Sequence, residues 1–105
     1  MASQEVVTEA ARRLVEAAPP AARVILFGSH ARGEAGDASD LDFLVIERDL
    51  DDRWAERSRL REAVADVPAA FDLFVASEAE VRRWGSVPGT VLHEAVTNGM
   101  LVNGD

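Results

Sequence analysis

Residues 28 to 42 read Gly-Ser-His-Ala-Arg-Gly-Glu-Ala-Gly-Asp-Ala-Ser-Asp-Leu-Asp. Gly28-Ser29 closes an apolar run from Arg23 to Phe27, and Asp40 and Asp42 open a second, Leu41 to Ile46. A glycine at the end of a strand lets backbone approach a phosphate without a Cβ in the way. Ser29 adds a hydroxyl and a backbone N–H, and the turn after it can begin a helix, whose N-terminus favours an anion. Arg32 can pair with phosphate oxygens, or equally make a structural salt bridge. Strand side chains alternate, so Asp40 and Asp42 project to one face. Asp72 stands near the start of a third apolar run and completes a carboxylate trio if that strand lies beside the second. Two unit charges ~4 Å apart repel by roughly 4 kcal/mol at an effective dielectric of 20. A cation relieves that cost, and oxygen-only ligands suit magnesium or manganese, with water and phosphate oxygens completing the shell. Such a set can hold a nucleoside triphosphate and its metal. In two-metal phosphoryl chemistry shared carboxylates bridge the ions. Asp40 and Asp42 would bridge two ions, and Asp72 would hold the first and take the acceptor's proton.

The elements that must position these groups are legible from periodicity and punctuation. Ser3 can cap a helix to about Ala18, with Val7, Ala10, Ala11, Leu14, Val15 and Ala18 as its buried stripe and Pro19-Pro20 as its stop. Strands are expected at Arg23 to Phe27, Leu41 to Glu47 and Phe71 to Ala76. Asp51 or Asp52 caps a helix to about Asp66, with Leu60, Ala63, Val64 and Val67 facing the core. Ser77-Glu78-Ala79-Glu80 fits a capping box for a short helix near Val81 to Trp84. Thr90 to Asn98 reads as a last helix ended by Gly99, and Met100 to Val102 as a short edge strand. The fold class expected is α+β, a small mixed sheet with helices packed mainly on one face. All three main strands carry apolar residues on both faces, so something covers part of the second face: the C-terminal helix or another protein.

Length and composition narrow the function. The 105 residues make a single domain, 1–105, with one core and no room for a large substrate lobe. No cysteine is present, which excludes thiolate metal sites and cysteine nucleophiles. No apolar stretch reaches the ~20 residues of a membrane span, and no signal pattern opens the chain, so a cytoplasmic location without membrane contact is expected. A net charge of −8 argues against direct nucleic-acid binding.

The spacing of Gly28-Ser29, ten residues, Asp40-Leu41-Asp42 and a later Asp72 resembles the minimal nucleotidyltransferases of the DNA-polymerase-β-like superfamily. The string Phe27-Gly28-Ser29-His30-Ala31-Arg32-Gly33, with Ser39-Asp40-Leu41-Asp42, looks especially close, and the resemblance covers nearly the whole chain. It implies a polymerase-β-like fold, ATP as substrate and magnesium as cofactor. Members of this size often work beside a HEPN-domain ribonuclease toxin as its antitoxin, in known cases moving AMP onto a toxin tyrosine. The resemblance therefore implies a protein adenylyltransferase with a HEPN-type partner in a hetero-oligomer. The alternative is an antitoxin that neutralises its partner by binding alone, without catalysis. Transfer to a small molecule or RNA end is disfavoured by the acidic surface and the missing acceptor domain.

Plainer readings apply elsewhere. Gly28-Ser29 alone could be an ordinary turn, Asp37 to Asp42 a solvated loop, and Asp72 a strand-edge carboxylate facing water. A calcium loop is excluded, since Leu41 and Asp42 stand where an oxygen ligand and a glycine are needed. His30 reads as solvent-facing or phosphate-adjacent, His93 as a surface or core-edge residue, and Trp54 and Trp84 as core or core-rim residues. Ser58 has no visible base. The run Glu56 to Glu62 reads as a solvated helix face.

Overall fold

The structure, a computed structural model, describes residues 4–32 and 40–103, the side chains of His30 and Arg32 excepted. The expected Ser3 cap, residues 33–39 and the readings placed on the His30 and Arg32 side chains lie outside the described residues. Helix α1 spans Gln4–Ala17, β1 Arg23–Phe27, α2 Ser29–Arg32, β2 Leu41–Glu47 and α3 Arg53–Ala63. Strand β3 spans Phe71–Ser77, α4 Glu78–Trp84, α5 Val91–Asn98 and β4 Met100–Leu101. The four strands form one mixed sheet in the order β3-β2-β1-β4. β1 runs antiparallel to both β2 and β4, and β2 runs parallel to β3. A parallel neighbour needs a crossover, and α3 supplies it. This is the α+β architecture expected, compatible with the polymerase-β-like fold.

Each element starts and stops for a local reason. Asp52 accepts from the Ala55 N–H and caps α3. At α4, Ser77 accepts from the Glu80 N–H while Glu80 accepts from the Ser77 N–H, so the capping box is complete. Thr90 accepts from the His93 N–H at the start of α5. Alternation then sorts the strands onto two faces. Val24, Leu26, Phe43, Val45, Leu73 and Val75 pack against Val7, Ala10 and Leu14 of α1, with Leu60 of α3. The opposite face, with Ile25, Phe27, Leu44, Ile46 and Ala76, is covered in part by Ala95 and Leu92 of α5 and Val81 of α4. The C-terminal helix thus covers part of the second face. Asn103 ties the chain end to β1, accepting from the Val24 N–H at 3.0 Å and donating to the Ala22 carbonyl at 2.7 Å.

The tryptophans depart from the sequence reading. Trp54 is 72% exposed and Trp84 43% exposed. Trp54 lies six residues before Leu60, about 120° around a helix that turns 100° per residue, so it points away from the stripe that Leu60 buries. Among the described residues, no helix is long and apolar enough to cross a membrane.

Candidate active site

The bend after β1 is fixed by one side chain. Gly28 has φ +75°, a conformation that favours glycine, and a Cβ there would overlap Asp42 Oδ2 and stand 3.1 Å from its Cγ. The register explains the closeness, since Phe27 is the antiparallel partner of Asp42. Gly28 therefore lies next to the first carboxylate of β2. Ser29 begins α2, which is one four-residue turn. The helix dipole expected there is correspondingly short, and what the turn offers a ligand is mainly N–H groups and the Ser29 hydroxyl.

On the other side of Asp42 stands Asp72, its partner in the parallel β2–β3 pair. Neighbouring strands lie ≈ 4.8 Å apart, and residues paired in this way send their side chains to one face. That face is the one shared by Phe27, Leu44 and Ala76. Asp42 is half-buried, while Asp40, just before β2, and Asp72 are exposed. The Leu41 N–H donates to the Ala70 carbonyl at 2.9 Å, so strand pairing begins immediately after Asp40. Across the sheet the order is thus the Gly28-Ser29 bend on β1, Asp42 on β2 and Asp72 on β3.

Among the described residues, no group of three His, Asp or Glu side chains is gathered closely enough to hold a metal ion. The donor set nonetheless fits magnesium. That ion is usually held by one or two carboxylates together with water and substrate phosphates, and does not need a complete protein cage. Asp42 beside Asp72, with Asp40 at the strand entrance, supplies hard oxygen donors, and the absent Cβ of Gly28 makes room for the Asp42 carboxylate.

Two features of the site's surroundings are absent from the sequence reading. Glu47, at the far end of β2, is 4% exposed, and its Oε2 has no hydrogen-bond partner. Burial pushes its carboxyl up to about 8, helped by the neighbouring Glu56. Glu56 is held down at about 2, mainly by the hydrogen bond from Arg59, so one proton serves the two carboxyls. The signal was available: continuing the alternation of Phe43 and Val45 points residue 47 into the core. The second feature is a pair of arginines on α3. Arg57 Nε donates to the Leu73 carbonyl at 2.8 Å and Arg53 Nη1 to the Val75 carbonyl at 3.0 Å. The helix face read as solvated is therefore in part bonded to the outer edge of β3 and, through Glu56, to Glu47.

Comparison with known proteins places the fold. The family profile described as "Nucleotidyltransferase domain" matches residues 7–94. No protein of curated function matches the sequence. One chain of a toxin–antitoxin crystal structure with AMP-PNP is 29% identical with a TM-score of 0.54, over 86% of this chain and 66% of that one. A candidate nucleotidyltransferase from Sulfolobus solfataricus, 24% identical over 92% of this chain and 76% of its own, shares the fold with a TM-score of 0.55. A mutant of the toxin–antitoxin MntA-HpeT is 26% identical with a TM-score of 0.51, again over 86% and 66% of the two chains. Its two substitutions replace aspartates two positions apart by glutamate. This chain thus spans just under two thirds of the length of the toxin–antitoxin chains it resembles.

Proposed function

Since the chain belongs to the nucleotidyltransferase domain family, we propose that it transfers AMP from ATP to a hydroxyl of a partner protein, as the antitoxin of a toxin–antitoxin pair. The observation that carries this reading is the register that sets Asp42 beside Asp72, with Gly28 pressed against Asp42. The resemblance to toxin–antitoxin chains, one with AMP-PNP, supports ATP as substrate and a protein as acceptor. The acceptor proposed is a tyrosine of a HEPN-type ribonuclease toxin, in a cytoplasmic hetero-oligomer.

Asp40 and Asp42 would hold two magnesium ions, with manganese able to replace them, and Asp72 would share the ion on the acceptor side. Bound there, the ions would neutralise triphosphate charge and lower the pKa of the attacking hydroxyl. The chain's own groups do the rest. Gly28 lets the backbone close on the phosphates, Ser29 donates to their oxygens, and Arg32 pairs with them. Asp72 takes the proton of the acceptor hydroxyl as its oxygen bonds to the α-phosphorus. The bond from that phosphorus to the bridging oxygen breaks, and its electron pair leaves with pyrophosphate.

Intact mass of the partner after incubation with this chain, ATP and magnesium tests the proposal. We expect a gain of one or more AMP units, lost when Asp40 and Asp42 both become alanine. Full neutralisation of the toxin by that double variant, with no mass change, would instead establish an antitoxin that acts by binding alone.

A further inference from the structure

A cavity of about 470 Å³ runs along the outer edge of β3, between α3 and α5, and Asp72 is part of its lining. Its apolar surface comes from Trp54, Phe74, Val91 and Leu92, three of them well exposed: Trp54 72%, Val91 40% and Phe74 37%. We propose that this groove seats the acceptor segment of the partner protein and delivers its hydroxyl to Asp72. The proposal rests on the transfer reaction above and adds the direction of approach, the shape of the occupant and the residues that recognise it.

The direction follows from sheet order. In an in-line displacement the attacking and leaving oxygens stand on opposite sides of the phosphorus. The phosphate-binding bend belongs to β1, the metal-binding aspartates to β2, and Asp72 to β3 at the sheet edge. With the pyrophosphate on the β1 side, the nucleophile must come from beyond β3, where the groove lies. Its aromatic floor is continuous with the site: the Phe74 ring stands 5.8 Å from that of Phe27, the β1 partner of Asp42.

The shape follows from the strand edge. An extended peptide joins a sheet by pairing with the unpaired carbonyls and N–H groups of its edge strand. On β3 the Leu73 and Val75 carbonyls are already taken by Arg57 and Arg53. The acceptor therefore docks as a helix or loop that inserts apolar side chains beside Trp54, and not as an added strand. Charge favours the same surface. In a chain of net charge −8 the groove lining has one acid, Asp72, and two arginines, of which Arg53 is paired with Glu80, so Arg57 is the cation left for the occupant and a segment with an acidic residue beside an aromatic hydroxyl suits it best.

Trp54→Ala tests the assignment, because Trp54 is exposed and belongs to α3, apart from the strands that carry the bend and the aspartates. The probe is the protein encoded by the adjoining reading frame, with labelled ATP and magnesium. A buried aromatic anchor of an interface typically costs tenfold or more in affinity when truncated. We expect KM for the partner to rise about tenfold or more, with kcat at saturation and the magnesium–ATP melting shift of the free chain unchanged. An unchanged KM overturns the proposal, and so does loss of the ATP shift, which would make the groove a base-binding site. If the wild-type chain binds the partner without transferring AMP, the reaction fails, but the groove is still tested. Weakened partner binding by Trp54→Ala and by Val91→Glu then upholds the docking surface, and unweakened binding overturns it. No binding of wild-type chain to the partner overturns both.

Discussion

Gly28 carries two constraints at once, a left-handed φ and the nearby Asp42 carboxylate. Gly28→Ala should therefore strain the backbone by about 1–3 kcal/mol and push Asp42 out of line, with transfer falling at least 100-fold while α1 and α3 stay packed. A melt paired with a transfer assay checks it, and an active Gly28→Ala would remove the bend from the site. Glu47 yields a pH prediction. Its folded pKa of about 8 is raised above the ordinary 4.5, so its contribution to stability is fully present below pH ~4.5 and is lost as pH rises towards 8. Glu56, lowered to about 2, acts with the opposite sign and loses its contribution only as pH falls from 4.5 towards 2. Glu47→Gln keeps the shape without the titration. Its melting temperature should change less than that of the wild type between pH 5 and 8, and exceed it at pH 8.5. Parallel profiles for the two proteins would contradict the shared proton.

Packing of α3 on β3 belongs to the scale of elements. The guanidinium groups of Arg53 and Arg57 satisfy carbonyls that an edge strand would otherwise offer to another chain. Removing a partner from a half-buried carbonyl costs about 1–3 kcal/mol. Arg57→Ala should destabilise by about that amount and increase self-association, read by chemical denaturation and light scattering. Ser77→Ala removes the hydroxyl arm of the α4 capping box, leaves the backbone N–H of residue 77 bonded to Glu80, and should cost about 1 kcal/mol. At this scale the sequence was most readable. The ends of β1 and β2 follow from apolar runs bounded by Gly28 and Asp40, and the α3, α4 and α5 starts from Asp52, Ser77 and Thr90. What could not be read is what depends on strand order. No local pattern says that Phe71 to Ser77 lies parallel beside β2, yet that pairing alone brings Asp72 to Asp42. Trp54 is not legible from hydrophobicity because its angle around the helix, and not its side-chain type, sets its exposure. The arginine contacts escaped because a charged helix reads as solvated until a strand edge is placed beneath it.

For the molecule as a whole, the sheet sets a sequence of roles from one edge to the other. β4 is a two-residue edge with Met100 and Leu101 exposed at 51% and 45%, β1 leads into the Gly28-Ser29 bend, β2 carries Asp42, and β3 carries Asp72 and the groove. A site so shallow relies on what it binds to complete it. Magnesium with ATP should raise the melting temperature together, by the equivalent of about 2.7 kcal/mol at a hundredfold excess over the dissociation constant, and neither alone should match the pair. The central claim, that Asp42 and Asp72 act as one site with separate duties, is tested most directly by Asp72→Asn in a single-turnover assay with α-phosphate-labelled ATP and the partner protein. Label transfer should fall at least 100-fold while magnesium-dependent ATP binding stays within severalfold of wild type. Undiminished transfer by Asp72→Asn would contradict the account.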